Sequence, residues 1–122
     1  MKKVRYINLN KYSDDRGTLL PFEYTTNCPF EIKRAFILYD VPQNKVRGKH
    51  KNLISEHLLV PIKGSCKIKC EYENKTANYL LNTPEKGLYI CSGVYKQMYD
   101  FSEDCILLCF ANTKYDPKEY IE

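Results

Sequence analysis

Between Cys66 and Glu73 the chain reads CKIKCEYE, with Cys66, Ile68, Cys70 and Tyr72 alternating with Lys67, Lys69, Glu71 and Glu73. Alternation at period two marks a strand with one face buried and the other wet. Short runs of β-forming residues recur along the whole chain with turn residues between them. Asp14-Asp15-Arg16-Gly17 is a turn into TLLPFEY, and Asn27-Cys28-Pro29 punctuates next. Ile32 to Tyr39 (IKRAFILY) predicts a buried strand, broken by Pro42-Gln43-Asn44. SEHLLVPI follows and ends at Lys63-Gly64. Asn74-Lys75 suits a hairpin turn into TANYLLN. A turn at Thr83 to Gly87 leads to LYIC, Ser92-Gly93 to YKQMYDF, and CILLCFA closes the series. The polar tail TKYDPKEYIE predicts a turn or short helix.

About nine or ten evenly spaced strands with almost no helix mean a sandwich or barrel. At 122 residues the chain is one domain, 1–122. The fold class is all-β, a cupin-type double-stranded β-helix or jelly roll, which carries ligands between its sheets.

Net charge is +4 and the lysines are scattered. A nucleic-acid binder shows a denser basic stripe, so that class is set aside, while a small anionic ligand fits. The six cysteines, Cys28, Cys66, Cys70, Cys91, Cys105 and Cys109, include no CxxC pair and mostly sit in apolar runs. There free cysteine acts as a small hydrophobe. MKKVRYINLNKY lacks the apolar core of a signal peptide, and no segment approaches the roughly 20 apolar residues of a membrane span. The expectation is a cytoplasmic protein with reduced thiols.

The candidate chemistry lies in VRGKHKNLISEHLLVPIKG, residues 46 to 64, which holds the only two histidines, His50 and His57. As a strand, it would point His50, Asn52, Ile54 and Glu56 one way and His57 the other. That parity makes His57 structural. One imidazole and one carboxylate are too few for a tight transition-metal site. Histidine titrates near neutrality and suits proton transfer, and Arg47 could hold a phosphate or carbonyl oxygen with its forked donors. His50 is therefore either an acid–base group or an ordinary satisfied polar residue of a strand.

PFEIKRAFILYD, VRGKHKN, IKGSCKI and GLYICSGVYKQMYDFSEDCILLCFANTKYDPKEYI together resemble the dTDP-sugar 3,4-ketoisomerases, small WxcM-like cupins of deoxysugar biosynthesis. The resemblance runs from residue 14 to the end of the chain. It implies a homodimer on a jelly roll, often with exchanged strands, that uses neither metal nor organic cofactor. It also implies an isomerase activity on dTDP-4-keto-6-deoxyglucose. A proton leaves carbon 3, an enediol forms, and a proton returns to carbon 4; the product feeds an aminotransferase for surface polysaccharide. The family motif Arg-Gly-x-His-x-His puts its base on His50 and its arginine on Arg47. An arginine carried by some members falls on Arg16.

The chain departs from the pattern at three places. The second histidine is Asn52, the tyrosine that partners the base is Phe36, and a late Trp followed by His or Arg is Tyr95-Lys96. The implied site is thus His50 as catalytic base, with Arg47, Arg16, Asn52, Lys96 and Tyr95 binding a dTDP-linked sugar. The alternative is an impaired paralogue that binds a sugar nucleotide or a partner subunit. If Phe36 marks an impaired site, Phe36→Tyr raises the rate; no gain means that another group has the role.

Overall fold

The computed structural model describes residues 3–122; residues 1 and 2 of the expected domain lie outside the described residues. The period-two pattern of CKIKCEYE becomes a strand, Cys66–Tyr72, with Cys66, Ile68 and Cys70 buried. In chain order the strands are β1 (Val4–Asn8), β2 (Tyr12–Asp14), β3 (Gly17–Leu19), β4 (Arg34–Tyr39), β5 (Arg47–Asn52) and β6 (His57–Lys63). Then come β7 (Cys66–Tyr72), β8 (Lys75–Leu81), β9 (Lys86–Ile90), β10 (Tyr95–Tyr99), β11 (Ile106–Ala111) and β12 (Tyr120–Ile121). One 3-10 turn, Pro117–Glu119, precedes β12 and is capped by Asp116, whose carboxylate accepts from the Lys118 N–H at 3.0 Å.

Two five-stranded antiparallel sheets, ordered β1-β9-β6-β11-β4 and β12-β5-β10-β7-β8, pack face to face, and β2 and β3 form a separate hairpin. One core joins the sheets: Leu59, Leu88, Ile90, Leu107 and Cys109 from the first meet Cys66, Ile68, Cys70, Leu81 and Met98 from the second. This is the jelly-roll sandwich the strand spacing predicts. Leu9, Cys28, Phe30, Leu58, Val60, Tyr89 and Phe110 form a second core on the outer face of the first sheet. Its cover comes partly from the irregular segment between β3 and β4. Buried on both faces, β6 and β11 carry continuous apolar runs instead of alternation. All six cysteines are free, and five are buried. No helix among the described residues is long and apolar enough to cross a membrane.

Three local expectations shift. TLLPFEY is a strand only to Leu19, and the rest is the outer cover. The strand expected over 32–39 starts at Arg34 and is not buried. It is the edge of its sheet, with Phe36, Ile37 and Tyr39 exposed. The Asn74 turn forms as expected, with Glu73 and Asn74 both at positive φ between the paired Tyr72 and Lys75. Those angles belong to the hairpin turn whose twist matches the strands.

Candidate active site

Open backbone at β5 sets the site. Opposite β10, His50 pairs with Lys96 and Arg47 with Met98, but Gly48 pairs with Gln97, which leaves Lys49 as an extra residue. This is a β-bulge. Gly48 and Lys49 sit at φ +88° and +62°. In an unbroken strand, residues 47 and 50 would face opposite ways. The bulge turns both inward. A Cβ on Gly48 would stand 3.0 Å from the Lys96 carbonyl oxygen and 3.3 Å from the Met98 methyl, so the bend needs glycine there.

Between the sheets lies a cavity of about 160 Å³. His50, Arg47 and Lys96 reach it from the second sheet, with Tyr120 from the tail and His57, Phe36 and Cys109 from the first. The His50 Nδ1 lies 3.0 Å from the Gly48 carbonyl. A carbonyl only accepts, so in the neutral ring Nδ1 carries the proton and Nε2 keeps its lone pair. Burial, only partly opposed by the bond to Gly48, holds His50 below its ordinary value of 6.5. It is a neutral base at pH 7. Tyr120 packs against its ring, with centroids 4.5 Å apart and the planes tilted by 40°.

Lys96 is only 4% exposed and donates to the Asn52 Oδ1 at 2.8 Å. Burial pulls its pKa down to about 8. With Arg47 it makes the cavity positive, suited to a developing oxyanion. The Arg34 guanidinium, over the rings of Phe36 and Tyr115, leaves Nε and Nη2 buried without a partner. Glu119 ties the tail down: its carboxylate accepts from the Ile54 and Ser55 N–H groups and the Ser55 hydroxyl. Burial pushes that carboxyl up, but these bonds outweigh it and hold the pKa low. The anchored Glu119 presents Tyr120 to His50.

Of the residues expected at the site, the fold brings His50, Arg47 and Lys96 together. Asn52 is buried behind the cavity and holds Lys96. Tyr95 lies on the outer face beside Lys51 and Glu71. Arg16 is on the β2–β3 hairpin, paired with Asp14 at 2.6 Å. His57 overturns the parity expectation. Residues 53 to 56 are a bend and irregular backbone, so parity does not carry from β5 into β6, and His57 faces the cavity. Glu56 points elsewhere, bonding the Tyr89 hydroxyl and the Asn112 amide. Sequence reading also missed Tyr120, because a polar tail gives no sign that it folds back as a strand. Among the described residues no three His, Cys, Asp or Glu side chains group as metal ligands.

This fold and cavity define a small cupin with two imidazoles and two cationic side chains around one cavity. The chain belongs to the FdtA family (WxcM-like, C-terminal), whose model matches residues 2–122. It is 36% identical over 117 residues to the TDP-4-oxo-6-deoxy-alpha-D-glucose-3,4-oxoisomerase of Aneurinibacillus thermoaerophilus, covering 96% of this chain and 84% of that protein. Among solved structures it is similar to WlaRA, a TDP-fucose-3,4-ketoisomerase from Campylobacter jejuni. That match has a TM-score of 0.93 and 42% identity over 97% of this chain and 87% of the other. It is also similar to a histidine-to-asparagine variant of the 3,4-ketoisomerase QdtA from Thermoanaerobacterium thermosaccharolyticum in complex with TDP-4-keto-6-deoxyglucose. There the TM-score is 0.95 and the identity 33%, covering 99% of this chain and 88% of that one.

Proposed function

We propose that this protein is a 3,4-ketoisomerase of a TDP-linked 4-keto-6-deoxy sugar, with 1–122 as one ketoisomerase domain. The carrying observation is His50, with one ring nitrogen anchored on Gly48 and the other left as a base in a positively charged cavity. The family relatives named for this reaction support it. His50 takes the proton from carbon 3 and returns one to carbon 4. Lys96 and Arg47 stabilise the charge that builds on the sugar oxygens. No electron leaves the sugar, so protons alone balance the step.

A cavity of about 160 Å³ is small beside the roughly 300–1,000 Å³ of pockets that enclose a drug-sized ligand. It suits the sugar ring, and the nucleotide lies along the mouth. A homodimer completes the picture: Tyr12 and Leu19 of the hairpin are 63% and 62% exposed, and β4 offers an open apolar edge. Hairpin exchange would bring Arg16 toward a partner's ligand. A nucleotide sugar as substrate and free thiols fit the cytoplasm. A 3-keto sugar is a substrate for transamination, which places the step in deoxyamino-sugar synthesis for polysaccharide.

Proton NMR in deuterium oxide with TDP-4-keto-6-deoxyglucose tests the activity. The expected result is a 3-keto product deuterated at carbon 4. His50→Asn abolishes it while TDP binding, followed by calorimetry, stays near wild type. Unchanged turnover in that variant rejects His50 as the base, and no turnover by the wild type on this or related TDP-keto sugars leaves a binding paralogue.

A further inference from the structure

Isomerisation moves two protons, not one. The first travels from carbon 3 to carbon 4 by way of His50. The second must leave the hydroxyl on carbon 3 and arrive at the oxygen on carbon 4. That transfer needs a group able to both donate and accept. Arg47 only donates, and Lys96 is held on the Asn52 Oδ1 at 2.8 Å. Phe36, Leu38, Leu59 and Met98 do neither, burial pushes the Cys109 thiol up to about 12, and Tyr120, whose hydroxyl can do both, lies with its ring on His50 and is the rival that the test below separates.

His57 can do both. It is 3% exposed, lines the cavity, and its Nδ1 is buried without a hydrogen-bond partner. A buried polar atom without a partner calls for an explanation. Its ring meets Phe36 edge-on, with centroids 6.4 Å apart. Its strand belongs to the sheet opposite that of His50, so the cavity has an imidazole on each side.

We propose that His57 is a second catalytic group, relaying the hydroxyl proton between the oxygens on carbons 3 and 4. The inference rests on the ketoisomerase reading above. As the C3–H bond breaks, its electron pair forms the C3=C4 bond and the carbonyl π pair moves to the oxygen on carbon 4. That oxygen takes a proton from the imidazole. The imidazole recovers one from the hydroxyl on carbon 3 as the new carbonyl forms and carbon 4 is protonated. One C–H and one O–H bond break, one of each forms, and His57 ends as it began. Burial, with the nearby Lys96 and Arg34 charges, pushes its pKa down to about 2. A neutral imidazole can polarise a carbonyl oxygen, and the same positive charges strengthen its N–H as a donor.

The test compares wild type with His57→Leu in deuterium oxide. It follows both deuterium entry at carbon 3 of recovered substrate and formation of the 3-keto product. Product formation is expected to fall about hundredfold, the scale of losing one oxyanion donor. Exchange falls less, so the ratio of exchange to product rises. A merely structural loss lowers both in parallel, and that result overturns the proposal, as does unchanged product formation. His57→Leu combined with Phe36→Tyr regains most of the lost rate, because a hydroxyl returns beside the missing imidazole. In the wild-type background Phe36→Tyr alone gives no gain. Tyr120→Phe, which removes only the hydroxyl, leaves the ratio of exchange to product at the wild-type value whatever it does to the rate; if that variant alone shows the raised exchange ratio, the relay belongs to Tyr120 and the proposal fails. A wild type that turns over no TDP-keto sugar overturns the ketoisomerase reading itself, and the relay with it.

Discussion

Lys96 is a cation in a place that water barely reaches. Burial favours its neutral form and brings its pKa to about 8, while Asn52 holds the Nζ at 2.8 Å. His50 is also shifted down, from 6.5, with burial as the main cause. In the proposed mechanism both shifts set the pH dependence of catalysis. The base works deprotonated, so activity rises with pH through a value below 6.5. The lysine works protonated, so activity falls as pH passes about 8. The expected kcat profile is a bell with its optimum between these limits. Lys96→Arg keeps the charge, since a guanidinium holds its proton to above about 12. The alkaline limb then disappears from the stopped-assay profile, and a limb still falling near its old position assigns it to another group.

At the scale of an element, the bulge in β5 is what makes a site. Alternation alone puts Arg47 on the outer face. Gly48 and Lys49 at positive φ bring Arg47 to the same side as His50. Gly48→Ala meets the Lys96 carbonyl at 3.0 Å in a backbone conformation that alanine disfavours. It should lower stability by about 1–3 kcal/mol, read by calorimetry, and lower kcat by displacing Arg47 and His50 together. An unchanged Tm and kcat would show that the bulge does not depend on this glycine. The same element shows the limit of sequence reading. A period-two argument places His50 and Asn52 on one side correctly. It fails for Arg47 because of the bulge and for His57 because a bend intervenes.

For the whole molecule, exposed apolar surface calls for cover. An open edge strand with Ile37 and Tyr39 outward, 48% and 58% exposed, is a template for pairing. Light scattering on a sizing column is expected to give twice the chain mass. Ile37→Asp with Tyr39→Asp should shift it to the monomer and reduce activity. A wild type that elutes as a monomer at micromolar concentration removes the dimer and, with it, the route by which Arg16 reaches a ligand.

The sequence by itself determined the all-β sandwich, because period-two alternation and turn residues are local signals that each strand carries in its own residues. It also put His50 and Arg47 forward as a pair, through their resemblance to the family motif. Tertiary structure alone decided what surrounds them. Lys96 and Tyr95 are adjacent in sequence, and pleating sends one into the cavity and the other to the outer face. Asn52 became a support for Lys96 instead of a cavity residue. His57 and Tyr120 reach the cavity from another sheet and from the tail. Those placements depend on contacts between residues far apart in the chain, which no local pattern records.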